Sequence, residues 1–219
     1  MELRKVSIDF YKRTITVDGQ VYNCRIYQDE DPDDRDNYIT DLRNCDLKGL
    51  NLSRLKLGKV DLSGSDLTDA VLRNTILDKA NLRDCIFKRA YLENVMLGVA
   101  NLDNVDFEDA YIKESQIIYA NCISAKFMHA NIKWTSFCDS LLNFANFKEA
   151  HIKDCHLNDT NINGATFEEA ELIRCKIDNI IFDNKTIFKN SKIKECFFDQ
   201  KHLPDIDKDS LKDSFIYEC

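Results

Sequence analysis

From Leu42 onward the chain keeps a five-residue beat. Stepping by five from Leu42 to Phe182 visits 29 positions, of which 28 are Leu, Ile or Phe and the other is Cys122. A helix would space its apolar residues three and four apart, and a half-buried strand would alternate every two. A fixed period of five fits neither and marks a repeat architecture. The position two before each large residue repeats as well. It is mostly Ala, Cys, Ser, Thr or Val, with Leu50, Leu55 and Ile180 the larger exceptions near the ends. One large and one small apolar residue per five, with polar residues between, predicts a chain that turns a corner every five residues and stacks turn on turn.

The flanks follow other patterns. Val6, Ile8 and Phe10 alternate, as do Ile15 and Val17, and Asp18-Gly19 precedes a run from Val21 to Tyr27. An Asp-Gly pair between β-rich runs predicts a hairpin, so residues 1–28 are expected to form a small β cap over the open end of the stack. Residues 29–37, acidic and containing Pro32, read as a solvated linker, with a basic partner as the sharper alternative. The repeats are assigned to 38–198. After Phe182 the beat resumes at Phe188, so one residue has been inserted near Asp183-Asn184-Lys185, as a bulge or widened corner. Residues 199–219 are expected to form a C-terminal cap opening at His202-Leu203-Pro204-Asp205, with a short helix placing Leu211 and Phe215 on one face.

Read as pentapeptides, the repeats include Ala80-Asn81-Leu82-Arg83-Asp84, Ala100-Asn101-Leu102-Asp103-Asn104 and Ala145-Asn146-Phe147-Lys148-Glu149. This resembles the pentapeptide-repeat family, with its A(D/N)LXX motif, over about three quarters of the chain. The resemblance implies an all-β fold, a right-handed quadrilateral β-helix with four pentapeptides per coil. That gives about seven to eight coils, the seven of the unbroken stretch making a rod roughly 35 Å long. Folding the sequence at a period of 20 supports four faces. Phe87, Phe107, Phe127, Phe147 and Phe167 then stack on one face, while Leu52, Leu72, Leu92, Ile112, Ile132, Ile152 and Leu172 occupy the next. The residue before each large one faces outward, and on one face it reads Asp41, Asp61, Asn81, Asn101, Asn121, Leu141, Asn161 and Ile181, an Asp/Asn ladder suited to bonding the backbone at the corners.

Composition narrows the function without naming it. The net charge is −8, and no apolar run is long enough for a membrane span. No signal-peptide core follows Met1, so a cytoplasmic protein without membrane contact is expected. The nine Cys do not form a secreted disulfide pattern. Cys155, Cys175 and Cys196 fall in the small-residue column, where Cys fills space, so their thiols should point inward and His151 and His156 outward. No nucleophile–base set, metal-ligand spacing or phosphate loop stands out, so neither enzymatic activity nor a cofactor or metal is expected.

Two outward groups are candidate interaction sites. An apolar belt takes in Val71, Ile76, Tyr91, Met96, Tyr111, Trp134 and Phe144, and suits a protein partner or a homodimer. An acidic band holds Asp103, Asp106, Glu108 and Asp109. The chain also resembles the quinolone-resistance members of the family. That resemblance implies a dimeric anionic rod that mimics duplex DNA and engages DNA gyrase or topoisomerase IV. A rigid non-enzymatic scaffold and such a DNA mimic are the two functional expectations. Direct nucleic-acid binding is not expected, because no basic stripe dominates the sequence.

Overall fold

The structure, a computed structural model, describes residues 3–9, 11, 14–23, 25–26, 40–199 and 215–217. The described residues are all strands, bridges and turns, with no helix. From Asp41 to Lys194 they form a β-solenoid in which strand residues pair in parallel with those 20 further along, or 21 in the last turn. The longest sheet joins Val71–Arg73, Tyr91–Glu93, Tyr111–Lys113, Asn131–Lys133, His151–Lys153, Glu171–Ile173 and Lys192–Lys194. Three further ladders run beside it as isolated bridges, typified by Asn81↔Asn101, Ile86↔Asp106 and Ile76↔Met96. About six turns lie in the continuous sheet between Val71 and Lys192, fewer than the seven to eight expected, and the bridge Asn51↔Val71 carries the ladder one turn further.

The five-residue beat follows from the geometry of one corner. The large residue opens a four-residue β-turn closed by a backbone bond, as from Ala80 N to Leu77 O (3.0 Å). Its own N–H meanwhile donates to the next turn, as from Leu77 N to Met96 O (2.7 Å). The third residue of the turn is left-handed. The series runs from Asn44 (φ 51°) through Asp84 (57°) and Asn104 (57°) to Glu195 (53°), as a type II turn requires. Four such corners bring the chain back over itself.

Every residue of the large series from Leu42 to Ile177 is buried, and so is the small column from Ala70 to Ile180. The predicted Phe stack is present. Ring centroids from Phe87 through Phe107, Phe127, Phe147 and Phe167 to Phe188 lie 4.9, 5.2, 4.6, 4.8 and 4.9 Å apart. Phe137 meets Phe127 edge-on at 5.7 Å. Polar members of the small column are buried with their bonds made. Ser140 Oγ donates to Ile117 O (2.7 Å) and accepts from Ala120 N (3.0 Å). Thr75 Oγ1 donates to Leu52 O (3.1 Å), and Cys85 Sγ lies 3.0 Å from Leu62 O. A hydroxyl or thiol here bonds a carbonyl of the preceding turn, which is why Ser, Thr and Cys replace Ala without leaving a buried polar group unpaired.

Both ends are closed by strands. At the N-terminus β1 (Arg4–Asp9), β2 (Thr14–Val17) and β3 (Gln20–Asn23) form an antiparallel meander. Its β2–β3 turn is Asp18-Gly19, with φ of 49° and 86°, as in a type I′ hairpin. β1 also pairs in parallel with Cys45–Asp46, placing Ile15 and Val17 over the core. Arg25–Ile26 pairs antiparallel with Leu55–Lys56. The predicted insertion appears as a change of spacing, from 20 at Asn161↔Ile181 to 21 at Thr166↔Ile187. There Asp183 Oδ1 accepts from Gly164 N (2.9 Å) and Lys185 N (3.1 Å), which holds the widened corner.

The C-terminal helix is a correction. Phe215–Tyr217, which was to supply part of it, is a strand that pairs in parallel with Phe197–Asp199 and extends that ladder. A strand here satisfies the exposed edge of Phe197–Asp199, which a helix could not do. Leu211, His202 and Pro204, and the acidic segment 29–37, lie outside the described residues.

Replacing Phe127 by Ala should cost about 3–5 kcal/mol, because the side chain is stacked on two sides and met edge-on by a third ring. Ser140→Ala should cost about 1–3 kcal/mol through the two backbone partners it leaves unpaired. Thermal and urea denaturation of both variants beside the parent would check the order.

Candidate functional site

The solenoid presents three kinds of outward position per repeat: the residue before each large one, the residue after it, and the left-handed corner. The first kind is half-buried more often than exposed, because its side chain lies against its neighbours one turn above and below. Tyr91 and Tyr111 stack at 5.0 Å, and Arg73 lies over the Tyr91 ring at 4.8 Å. The Asp/Asn ladder behaves as predicted and does more. Asp61 Oδ1 accepts from Ser63 N (2.9 Å), and Asn101 Oδ1 accepts from Asp103 N (3.2 Å). In addition Asn81 Nδ2 donates to Asp61 Oδ1 (3.1 Å) and Asn101 Nδ2 to Asn81 Oδ1 (3.2 Å), which ties the turns together along the axis.

Six of the seven residues of the expected apolar belt lie on two adjacent ladders and the corner between them; Phe144 does not. Val71, Tyr91 and Tyr111 share one ladder, Ile76 and Met96 share the next, and Trp134 stands at the corner between the two. These first five side chains are half-buried. Phe144 is at another corner, which follows the Asp41–Ile181 ladder, and it lies across Gly164, where a Cβ would come within 2.6 Å of its ring.

Four of the exposed large apolar residues are at corners, Val99 (55% exposed), Tyr119 (61%), Trp134 (52%) and Phe144 (57%), all with φ between 50° and 58°, while Leu141 and Ile181 stand exposed on the Asp41–Ile181 ladder. Val99 was not singled out in the sequence. Its cue is that this column otherwise favours Asn, Asp and Gly, the residues that tolerate a left-handed backbone. An open groove of about 520 Å³ lies beside Trp134, lined by Glu114, Gln116, Ile118, Ser136 and His156 among others.

The acidic band is largely neutralised from within. Lys88 Nζ lies 3.4 Å from Asp106 and is also bonded to Glu108, and Arg83 Nε lies 3.6 Å from Asp103. Among the described residues Asp109 alone of the four candidates has no ion pair. Other pairs likewise bridge consecutive turns: Arg89–Asp69 (2.8 Å), Lys113–Glu93 (3.1 Å) and Arg174–Asp154 (2.7 Å).

Cys155, Cys175 and Cys196 are buried in one column, and Cys175 N donates to Cys196 Sγ at 3.3 Å. Contact with the Cys155 thiol and burial together push Cys175 up to about 12, and burial pushes Cys85 up to about 12. His151 and His156 are exposed, and His151 Nδ1 lies 3.3 Å from Glu171. Among the described residues no group of three or more His, Cys, Asp or Glu is disposed to hold a metal ion. No helix among them is long and apolar enough to cross a membrane.

Comparison with known proteins fits this geometry. The family model for pentapeptide repeats matches eight copies, over residues 40–64, 65–104 and 145–184. The coils over those residues are therefore pentapeptide repeats. Among solved structures, a trypsin-treated form of QnrB1, a plasmid-mediated fluoroquinolone resistance protein, aligns with a TM-score of 0.61. It is 16% identical, over 81% of this chain and 87% of that one. HetL, a pentapeptide-repeat protein involved in heterocyst differentiation in the cyanobacterium Nostoc sp. strain PCC 7120, aligns with a TM-score of 0.31. It too is 16% identical, over 68% of this chain and 89% of that one. No curated protein matches the chain in sequence.

One pH dependence follows from the first turn. The Arg43 guanidinium bonded to Asp41 at 3.0 Å lowers that carboxyl from 3.8 to about 2. A depressed carboxylate contributes its stability above the unfolded value, and that contribution is lost as pH falls through the folded one. The midpoint of thermal unfolding should therefore drop between pH 3.8 and about 2, and Asp41→Asn should reduce that drop. The effect will be modest, since the pair is exposed.

Proposed function

We propose that the chain is a non-enzymatic interaction scaffold whose partner is a protein, bound through the corner side chains Val99, Tyr119 and Trp134 and the groove beside Trp134. One observation carries this reading. The stretch 105–144, which the family model passes over, keeps the core and the ladders of its neighbours yet departs at the outward positions. At its corners stand Tyr119, Trp134 and Phe144, with Val99 one turn before Tyr119. A bulky or β-branched residue in left-handed backbone costs on the order of 1–2 kcal/mol over Gly. Large apolar side chains held exposed at that cost are what a binding surface needs and what stability alone would remove. The same reading takes the solenoid as a right-handed quadrilateral, supported by four ladders per turn and by the handedness of parallel crossovers.

A second reading, a DNA mimic acting on DNA gyrase or topoisomerase IV, draws on the fold shared with QnrB1. Against it stands the acidic band, whose carboxylates are mostly taken up by Lys88 and Arg83. A mimic requires uncompensated anions at its surface.

The scaffold reading predicts that Tyr119→Ser with Trp134→Ser keeps the melting temperature of the parent or raises it, and abolishes association with the partner recovered by cross-linking, or self-association measured by light scattering. Unchanged association would refute it. It also predicts that micromolar protein neither inhibits gyrase supercoiling nor rescues it from a fluoroquinolone. Inhibition or rescue would replace this reading with the mimic.

A further inference from the structure

Along the sheet from Val71 to Lys194, the residue after each large one forms a single column. It reads Arg73, Glu93, Lys113, Lys133, Lys153, Ile173 and Lys194. Lys113, Lys133 and Lys153 are directly abreast on adjacent strands. Like charges directly opposite on neighbouring strands destabilise a sheet. The first of the three is compensated, since Lys113 Nζ lies 3.1 Å from both Glu93 and Glu114. Lys133 and Lys153 have no carboxylate within ion-pair distance among the described residues. Lys133 instead rests over the Tyr111 ring at 5.9 Å. The nearby acids are engaged elsewhere: Asp154 with Arg174, and Glu171 with His151. Lys192 and Lys194, on the last strand of the same sheet, add two more cations.

This row of three like charges stands in a chain of net charge −8. Other columns carry opposite charges one turn apart, as at Arg89–Asp69 and Lys88–Glu108, and the like pairs Asp41↔Asp61 and Asp46↔Asp66 are each followed by an uncharged residue, Asn81 and Ile86. Nothing in the core requires lysine at three successive places, because the same column accepts Arg, Glu and Ile elsewhere. Proteins break such local rules chiefly at functional sites.

We propose that the column Lys113–Lys133–Lys153 is the docking row for an acidic amphipathic helix of a partner protein, lying along the solenoid axis. The occupant follows from spacing. The lysines recur once per turn of the solenoid, at ~4.8 Å. Carboxylates on successive turns of a helix recur at about 5.4 Å, a mismatch that flexible lysines absorb over three positions. Carboxylates on one side of an extended strand recur at about 6.6 Å, which loses register within the row. Stacking of nucleic-acid bases has little purchase here, since Arg73, Tyr91, Tyr111 and Lys133 already cover one another in a continuous stack. Trp134, with Lys113 Nζ 5.6 Å from its ring, flanks the row and offers its other face to the apolar side of such a helix.

The test is a fluorescence-anisotropy titration at low salt, using a labelled alanine-based helical peptide with Glu on successive turns of one face. A peptide of the same composition in scrambled order and a labelled single-stranded oligonucleotide serve as comparisons. The ordered peptide should bind at least about tenfold more tightly than either, weakening as salt rises. Lys133→Glu should abolish that binding and also raise the melting temperature by about 2–4 °C, because it relieves the repulsion. Lys133→Gln with Lys153→Gln should abolish binding too, which keeps the test open if the Glu variant misfolds. Lys189→Gln, a lysine outside the row, should leave the binding unchanged, which separates the row from positive charge in general. Equal binding of the scrambled peptide, tighter binding of the oligonucleotide, or full binding by the Gln double variant would overturn the proposal.

Discussion

The parallel backbone ladder between successive turns is what the rest of the molecule depends on. Each turn must present its N–H and C=O groups in register with the turns above and below, or leave them buried and unpaired at a cost of about 1–3 kcal/mol each. Only a path of constant length meets that demand, and here the length is 20 residues. The core follows from it. A fixed path leaves room for one large side chain at the axis and one small one beside it in each repeat, and identical positions then fall on top of one another. The Phe87-to-Phe188 stack arises because the ladder spacing of about 4.8 Å also suits parallel aromatic rings. Where one residue is inserted, near Asp183, the ladder survives because Asp183 and Thr186 bond the backbone that the wider corner exposes.

The same constraint makes the surface legible in energetic terms. At a left-handed corner Asn, Asp and Gly are cheap, so Val99, Tyr119, Trp134 and Phe144 are departures with a cost. Along a column, opposite charges one turn apart stabilise and like charges repel, so the lysines at 113, 133 and 153 stand out against the paired columns around them. A rigid array in which each position has a default makes exceptions informative. All of these exceptions but Phe144 cluster on and beside the face between Tyr91 and His156, not on the acidic band. That band looks anionic along the chain and is mostly compensated in space by Lys88 and Arg83.

Much of this was readable in the chain. The large and small columns, the Phe stack, the Asp-Gly hairpin, the Asp/Asn ladder and the inserted residue near Asp183 all follow from rules acting over five or 20 residues, which periodicity exposes directly. The apolar belt was readable in its columns but not in its exposure. Phe144 falls at a corner away from Tyr91, and five of the seven side chains sink between their neighbours. The C-terminal segment failed for a related reason. Phe215 carries an apolar spacing that suits a helix, but the open strand edge at Phe197–Asp199 offers backbone bonds that outweigh it.

What the sequence determined by itself is the solenoid: its period, its core and its corners are local demands repeated, and each repeat states them again. What only the tertiary structure decided is which outward residues meet. Residues 20 apart become neighbours, and a carboxylate such as Asp106 is paired or left free according to what stands one turn away. Charge and apolarity at the surface are therefore properties of columns that run across the chain, not along it.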